Sequence, residues 1–544
     1  MSMRSPLRSR AGVRGAIATA GAALLALSLA ACGGGAPAAS EPVNLVDTGA
    51  ELDEITVALP GSLANLYTGV EGGILNYYVA STVQEGLVGI DETGAVVPSL
   101  AESWETPDEN TYVFQLRDDA TFHDGAPVTP EDVVFSLQQA QDEVASPSLS
   151  WYLYNMSSVE VTGANEVTVT TAEPDQAFLK NLSTAGSAFI TPQAHWEAVG
   201  GAVGTSESLL PGSGPYEVTE FQPDSHVTLV RNDNWWGGTP AVQQINIEFI
   251  PDENTRLLAA QKGDIDIAFN VPIGQADQWR EIDGVRVENV NDLSYVGLLF
   301  DQNVAPFDDA KVREAIALAV DRQTIVDRLL RGNGEVATTI MTPESIESVV
   351  GADEARKMLA GVTQHEFNLD DARAALEESS VPEGFELELT FPNTGPQLGT
   401  AAQAIGESLG EIGIEVAVKE VPIETWLATI GDGEHGLSYM WYFSTTGDPA
   451  EVPAYLIGPD NPNGFVSDEA AALLSESNAA ADPEERIDLI LQLEELSATE
   501  VVNAPLWWGQ ALTSFTNRVG LADYSAYSFV GPWGAKLFAA EVAE

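Results

Sequence analysis

One cysteine occurs in 544 residues, and only 23 lysines and arginines stand against 82 aspartates and glutamates. There is no thiol pair, and the five histidines (His123, His195, His226, His365 and His435) lie more than 30 residues apart. A zinc or iron site would therefore have to be assembled by folding, and the sequence implies no metal and no cofactor. A formal charge of −59 repels nucleic acid. HExxH, GxSxG and a strand-preceded GxGxxG are absent, and GDGEHG at 431–436 lacks the lysine and Ser/Thr of a phosphate-binding loop, so it reads as a polar turn. With 82 acidic residues no carboxylate pair stands out as a glycosidase pair. No apolar stretch of 18 or more residues follows Cys32, so no membrane-spanning helix is expected downstream of it.

At the N-terminus, Arg4, Arg8, Arg10 and Arg14 precede GAALLALSLAAC, residues 21–32, with no acidic residue before Glu41. A basic segment followed by a short apolar one is the pattern of an exported precursor. Leu29, Ala30, Ala31 and Cys32 resemble the lipobox of a bacterial lipoprotein, which implies a signal peptide over 1–31, lipidation of Cys32 and a chain held at the outer face of the cytoplasmic membrane by its lipid. The Gly/Ala/Pro/Ser-rich stretch 32–50 reads as a flexible tether. Removal of the four arginines takes the charge to about −63. The carboxylates are dispersed through amphipathic segments, a whole-surface pattern that suits a salt-adapted cell.

About 500 residues remain, too many for one core. ITVAL from Ile55 to Leu59 reads as the first strand, and Ile74 onward as a helix that ends by Gly86. TYVFQLR alternates, placing Tyr112, Phe114 and Leu116 on one face, and Thr129, Pro130 and Asp132 form a capping box for the helix that follows. Further strands are expected near 166–172, 214–221, 226–232, 243–252 and 265–269, with a helix after Asp252 stopped by Gly263. A helix is expected over Asp308–Leu330, with Val312, Ile316 and Ala319 on its buried face. The segments 385–392, 400–411 and 413–421 read as strand, helix and strand, an α/β unit.

Tryptophans number 11, several of them clustered: Trp235 with Trp236, Trp441 beside Tyr442, Trp507 with Trp508. Aromatic side chains with a polar edge suit a ligand-enclosing cleft as well as a core, and Trp441, Trp507 and Trp508 are candidates for the cleft. Trp235 and Trp236, followed by two glycines, read as packing.

The strings PSLAESWE, TYVFQLRDDATFHDGAPVTPEDVVFSL, SGPYEVTEF, VTLVRNDNWWGG, PDENTRLLAAQKGDIDIA, APFDDAKVREAIALAVDRQTIVDRL and ADPEERIDLILQLEELSATEVVNAPL follow one another in order. In sequence and spacing they resemble the family 5 extracellular solute-binding proteins, the oligopeptide-, dipeptide- and nickel-binding group of ABC importers. The resemblance implies a two-lobe α/β fold of the type II periplasmic-binding-protein kind with an inserted domain: lobe I over 51–91, 206–293 and 506–544, the insertion over 92–205, and lobe II over 294–505. It also implies a monomer that closes its lobes on a small solute, in first place a peptide, near crossings at Asp292–Val296 and Val502–Leu506. The closed form then delivers the solute to a membrane permease and its ATPase, with no catalysis. Peptide-binding members use an aspartate in a Gly-Trp motif of the second lobe for the α-amino group. The local match is YMWYFSTTGDPAEV, residues 439–452, where that position falls on Thr445, with Asp448 in its place if the loop is shifted. Asp301 and Asn303 are further cleft candidates at the start of lobe II. A hydrolase of peptides or glycans, a binder of oligosaccharides or other non-peptide solutes, and a tethered sensor are the alternative readings.

Overall fold

Two long strands decide the architecture. In the computed structural model, which describes residues 44–393, 395–431 and 436–543, Val285–Phe300 and Asn503–Thr516 run antiparallel through the middle of a nine-stranded sheet. Cys32, the expected signal peptide, most of the expected tether and His435 lie outside the described residues. Outward on one side of the pair lies Leu437–Phe443. On the other lie Ile267–Ala268, Ile55–Leu59, Gln244–Phe249, His226–Arg231 and Tyr216–Gln222, with Glu335–Val336 also pairing to Asn503–Thr516.

The ladder between the two long strands loses register between Asn291 and Tyr295, where Asp292–Ser294 face Gly509. The apolar packing changes sides at the same point. Leu293 and Phe515 belong to a core built on Ile55, Val57, Ile245 and Ile247, whereas Tyr295, Trp507 and Trp508 belong to a second core with Ile316, Leu389 and Ile405. A bulge that re-aims a strand is the local device that lets one sheet serve two lobes. The return crossing therefore sits at Gly509, a few residues beyond the expected Val502–Leu506, because Val502 and Leu506 are buried in the second core. A Cβ at position 509 would run into the Ser294 hydroxyl and the Asp292 carboxylate, so the close approach of the strands requires glycine.

Residues 101–171 form a four-stranded antiparallel sheet in the order Ala101–Asp108, Thr111–Leu116, Glu166–Thr171, Met156–Gly163. Tyr112, Phe114 and Leu116 do share its buried face, and its core is continuous with that of the first lobe. The helix Pro130–Gln141 starts at the expected capping box, with the Asp132 N–H donating to Thr129 Oγ1 and the Thr129 N–H donating to the Asp132 carboxylate. Gly263 ends the helix Glu253–Lys262 in the left-handed region, at φ 76°. In the second lobe Phe385–Pro392 and Ile414–Val421 pair in parallel around the helix Pro396–Gly410, a crossover unit whose connection is long enough to carry a helix.

Three expectations are corrected. The stretch 32–50 is not a tether throughout: Leu45–Asp47 forms a strand paired with the C-terminal strand Leu537–Val542, so Ile55–Leu59 is not the first strand. The span Asp308–Leu330 is not one helix but Ala310–Leu318 followed, after Asp321, by Arg322–Leu329, because the Asp321 carboxylate accepts the Thr324 N–H at 2.9 Å and starts a new helix. IDIAF contributes only Ile267–Ala268 to the sheet.

Trp235 and Trp236 are anchors of the first lobe. Both indole N–H groups donate to Glu85 Oε1, at 3.0 and 2.9 Å, and the Ser213 hydroxyl donates to Oε2 at 2.8 Å. The Arg117 guanidinium lies 3.3 Å over the Trp236 ring. Burial pushes the Glu85 carboxyl up to about 7, above its ordinary 4.5, against the pull of those donors. A carboxyl raised by folding takes up a proton that the unfolded chain releases, so its contribution to stability is full below about 4.5 and is lost as pH rises through about 7. Glu85→Gln keeps the acceptor for both indoles and offers Ser213 a donor. Its stability should fall less between pH 4.5 and 7 than that of the wild type, by about 3 kcal/mol, as read by denaturant unfolding across that range.

Candidate functional site

The faces that the two lobes turn toward each other are polar, and they touch. From the first lobe and its insertion, the Tyr152 hydroxyl is hydrogen-bonded to the Thr445 hydroxyl at 2.6 Å and Lys180 Nζ donates to the Gly447 carbonyl at 3.2 Å. The Tyr527 hydroxyl donates to the Glu344 carbonyl, and the Gln176 N–H to the Asn478 carbonyl, each at 3.2 Å. Gly447, at φ 61°, lies against the Tyr527 ring, where a side chain would collide.

The loop after Leu437–Phe443 supplies the second lobe's share. Alternation along that strand puts Trp441 and Tyr442 on opposite faces, Trp441 against Gly395 at the start of the helix Pro396–Gly410 and Tyr442 toward Glu451. The Tyr442 hydroxyl donates to Glu451 Oε1 at 3.1 Å, and the Ser444 and Thr446 hydroxyls donate to Oε2. Burial raises the Glu451 carboxyl above its ordinary range, with the hydroxyls opposing. The residue nevertheless keeps some accessible surface. Asp292, at the crossing, is similar: burial raises it, Ser294 opposes by donating its N–H and hydroxyl to Oδ1, and the residue is only half-buried. The Ser444 N–H donates to the Leu293 carbonyl at 3.0 Å, so the loop runs directly beside the crossing.

Asp448 is held differently. Arg486, from the helix Pro483–Glu500, donates two hydrogen bonds to its carboxylate at 2.7 and 2.9 Å, and the Ala450 N–H donates a third at 2.9 Å. Burial works against the charge, but the guanidinium prevails and holds the Asp448 carboxyl below its ordinary value. Burial in the same knot lowers the Lys180 ammonium, opposed by Asp448.

Beside these contacts lies an open pocket of about 630 Å³, lined by Glu92, Asn291, Glu344, Glu347, Arg356 and Tyr527 among others. That size falls in the range of small-molecule sites, and the junction of lobes is a common place for one. No group of three or more His, Cys, Asp or Glu among the described residues is arranged to hold a metal ion.

Residues 95–464 match the family described as bacterial extracellular solute-binding proteins, family 5 Middle. The chain belongs to that family. Among its relatives, a probable di/tripeptide-binding protein 5 of Pseudomonas aeruginosa is 29% identical over 78% of this chain and 84% of its own. The nickel-binding periplasmic protein of Escherichia coli is 27% identical over 74% and 77%. The fold matches that of the periplasmic binding protein DppA from Helicobacter pylori in complex with the peptide STSA, with a TM-score of 0.78 at 20% identity, covering 90% of this chain and 98% of that one. The solute-binding protein is thus an extracytoplasmic, non-catalytic component of an ABC importer with the two-lobe α/β fold that the motifs implied.

The candidate site residues of this solute-binding protein scatter. Thr445 lies at the meeting of the lobes, and Asp448 lies next to it with its charge consumed by Arg486. Trp441 lies against Gly395, on the other face of its strand from Tyr442. Trp507 and Trp508 are 4% and 5% exposed and pack in the second core, where the Trp508 indole N–H donates to the Thr339 carbonyl. Asp301 is fully buried, with Oδ1 accepting the Asn303 N–H, and lies seven residues along the strand from Ser294, about 23 Å from the crossing. Asn303 is exposed against Gly464 at that same far end. Tyr152, Lys180, Glu344 and Tyr527 carry no motif in the sequence, Tyr442 and Glu451 stand within YMWYFSTTGDPAEV, and Asp292 was expected only as part of a crossing.

Proposed function

We propose that this protein is the lipid-anchored receptor of a peptide importer, which encloses its solute between lobe I (51–91, 206–293, 506–544) and lobe II (294–505) and passes it to a permease driven by an ATPase. The observation that carries the reading is the polar meeting of the lobes beside an open pocket of about 630 Å³, in a chain whose relatives include a di/tripeptide-binding protein. A solute that binds the closed arrangement more tightly shifts the lobes toward it by its difference in affinity. Two or more acyl chains on Cys32 anchor the protein firmly, since one alone binds a membrane marginally.

Mass spectrometry tests both parts. Native protein should release a peptide of a few residues on denaturation, and the intact mature chain should begin at a lipid-modified Cys32. A sugar or metal complex as the released solute, or a different mature start, would overturn the corresponding part. Thr445 carries no charge and Asp448 is neutralised by Arg486, so neither supplies a free carboxylate to a peptide ammonium.

A further inference from the structure

The second lobe braces its own loop 444–448. The Ser444 and Thr446 hydroxyls donate to Glu451 Oε2, the Gly447 N–H donates to Ser444 Oγ at 3.0 Å, and the Asp448 N–H donates to Thr446 Oγ1 at 3.2 Å. Arg486 holds the Asp448 carboxylate. Two polar groups of the loop are met from across the cleft instead: the Thr445 hydroxyl by that of Tyr152, and the Gly447 carbonyl by Lys180 Nζ. Those partners are braced in turn. Tyr152 is buried and stacks on Trp151 with ring centroids 3.6 Å apart, and Lys180 stands in the short helix Phe178–Asn181.

Tyr527 adds a third contact. It packs in the core of the first lobe, its ring lies against Gly94 and Gly447, and its hydroxyl donates to the Glu344 carbonyl at 3.2 Å. Both glycines are in the left-handed region, at φ 83° and 61°, and a Cβ on either would run into the Tyr527 side chain. Glycine at 447 is therefore what lets the second lobe come this close to Tyr527. Each of these bonds joins protein to protein, so none needs a solute as a bridge. Groups already held by their own lobes also lose little freedom when they meet.

We propose that loop 444–448 and Tyr527 form a latch that closes the lobes before a solute binds, with Tyr527, Tyr152 and Lys180 setting the share of solute-free protein that is closed. A solute that needs the closed form then binds in proportion to that share. The latch rests on the closing lobes of the reading above and not on the nature of the solute. Tyr527, Tyr152 and Lys180 are its positioning residues.

Electron spin resonance on solute-free protein tests this, because no contact with a solute can then enter. Cys32 is the one cysteine, so a Cys32→Ser chain takes spin labels only at cysteines introduced for the purpose. Val144 of the insertion, Leu258 of the first lobe and Val466 of the second are all exposed, and the pairs 144/466 and 258/466 report the spacing between lobes. In wild-type protein shown empty by native mass spectrometry, pulsed double-resonance measurements should find a population at the spacings of this structure. Tyr527→Phe keeps the ring and removes the donor, and should lower the ratio of closed to open protein by about 2- to 10-fold. Tyr152→Phe should act in the same direction. Gly447→Ala should remove the closed population, and the two phenylalanine variants serve if it does not fold. An empty wild type without the closed spacings, or phenylalanine variants that keep the wild-type distribution, overturns the latch. A released solute that is not a peptide overturns the peptide reading and leaves the latch standing.

Discussion

Arg486→Met is expected to destabilise the second lobe by about 3–5 kcal/mol, because it strands the Asp448 carboxylate without its partner. Asp448 is 4% exposed, and the pair is joined by two charge-assisted hydrogen bonds inside a knot that also contains Lys180 and Asp175. Asp448→Asn should cost a similar amount by leaving the guanidinium unpaired. The double variant should be less unstable than the two single losses added together, since it removes both charges. If the second lobe, roughly 210 residues, unfolds as one unit with an entropy of about 2.1 cal/mol/K per residue, the loss lowers its thermal midpoint by roughly 7–11 °C. Scanning calorimetry that resolves the lobes checks this, and a shift below about 2 °C for either single variant would show that the pair does not carry the lobe.

Stability should also climb steeply with salt. The chain carries 59 excess negative charges on a surface of 24,790 Å², about one per 420 Å², or a mean spacing near 20 Å. The Debye length is about 30 Å at 0.01 M, longer than that spacing, and about 3 Å at 1 M, far shorter. Neighbouring carboxylates therefore repel one another in dilute buffer and are nearly independent in molar salt. Most basic side chains among the described residues already sit against one or more carboxylates, so little cationic charge is left to offset the rest. A rise of several degrees in thermal midpoint between 0.01 and 1 M sodium or potassium chloride is the expected result. A midpoint that stays flat or falls would end the salt-adapted reading. Chloride salts are the right choice, because sulfate raises stability by exclusion from any protein surface.

What the chain determined by itself was local or periodic. The capping box at Thr129–Asp132, the glycine stop at Gly263, the alternating face of Tyr112, Phe114 and Leu116 and the parallel unit over 385–421 all depend on residues within a few positions or one crossover of each other. The ordered motifs likewise carried the family. Tertiary structure alone decided which residues meet between the lobes. Trp441 and Tyr442 are neighbours with the same aromatic character, yet the pleat puts them on opposite faces, Trp441 against Gly395 and Tyr442 on the Glu451 carboxylate. Asp448 reads as a free carboxylate until the fold brings Arg486 to it from 38 residues away, and Glu344 reads as one acid among 82 until the fold sets its Oε1 against Arg356 and Asn291. Periodicity reports which face of an element is apolar, whereas a binding site is made where polar faces of distant elements converge, and their charges settle only once burial has raised the cost of leaving any of them unpaired.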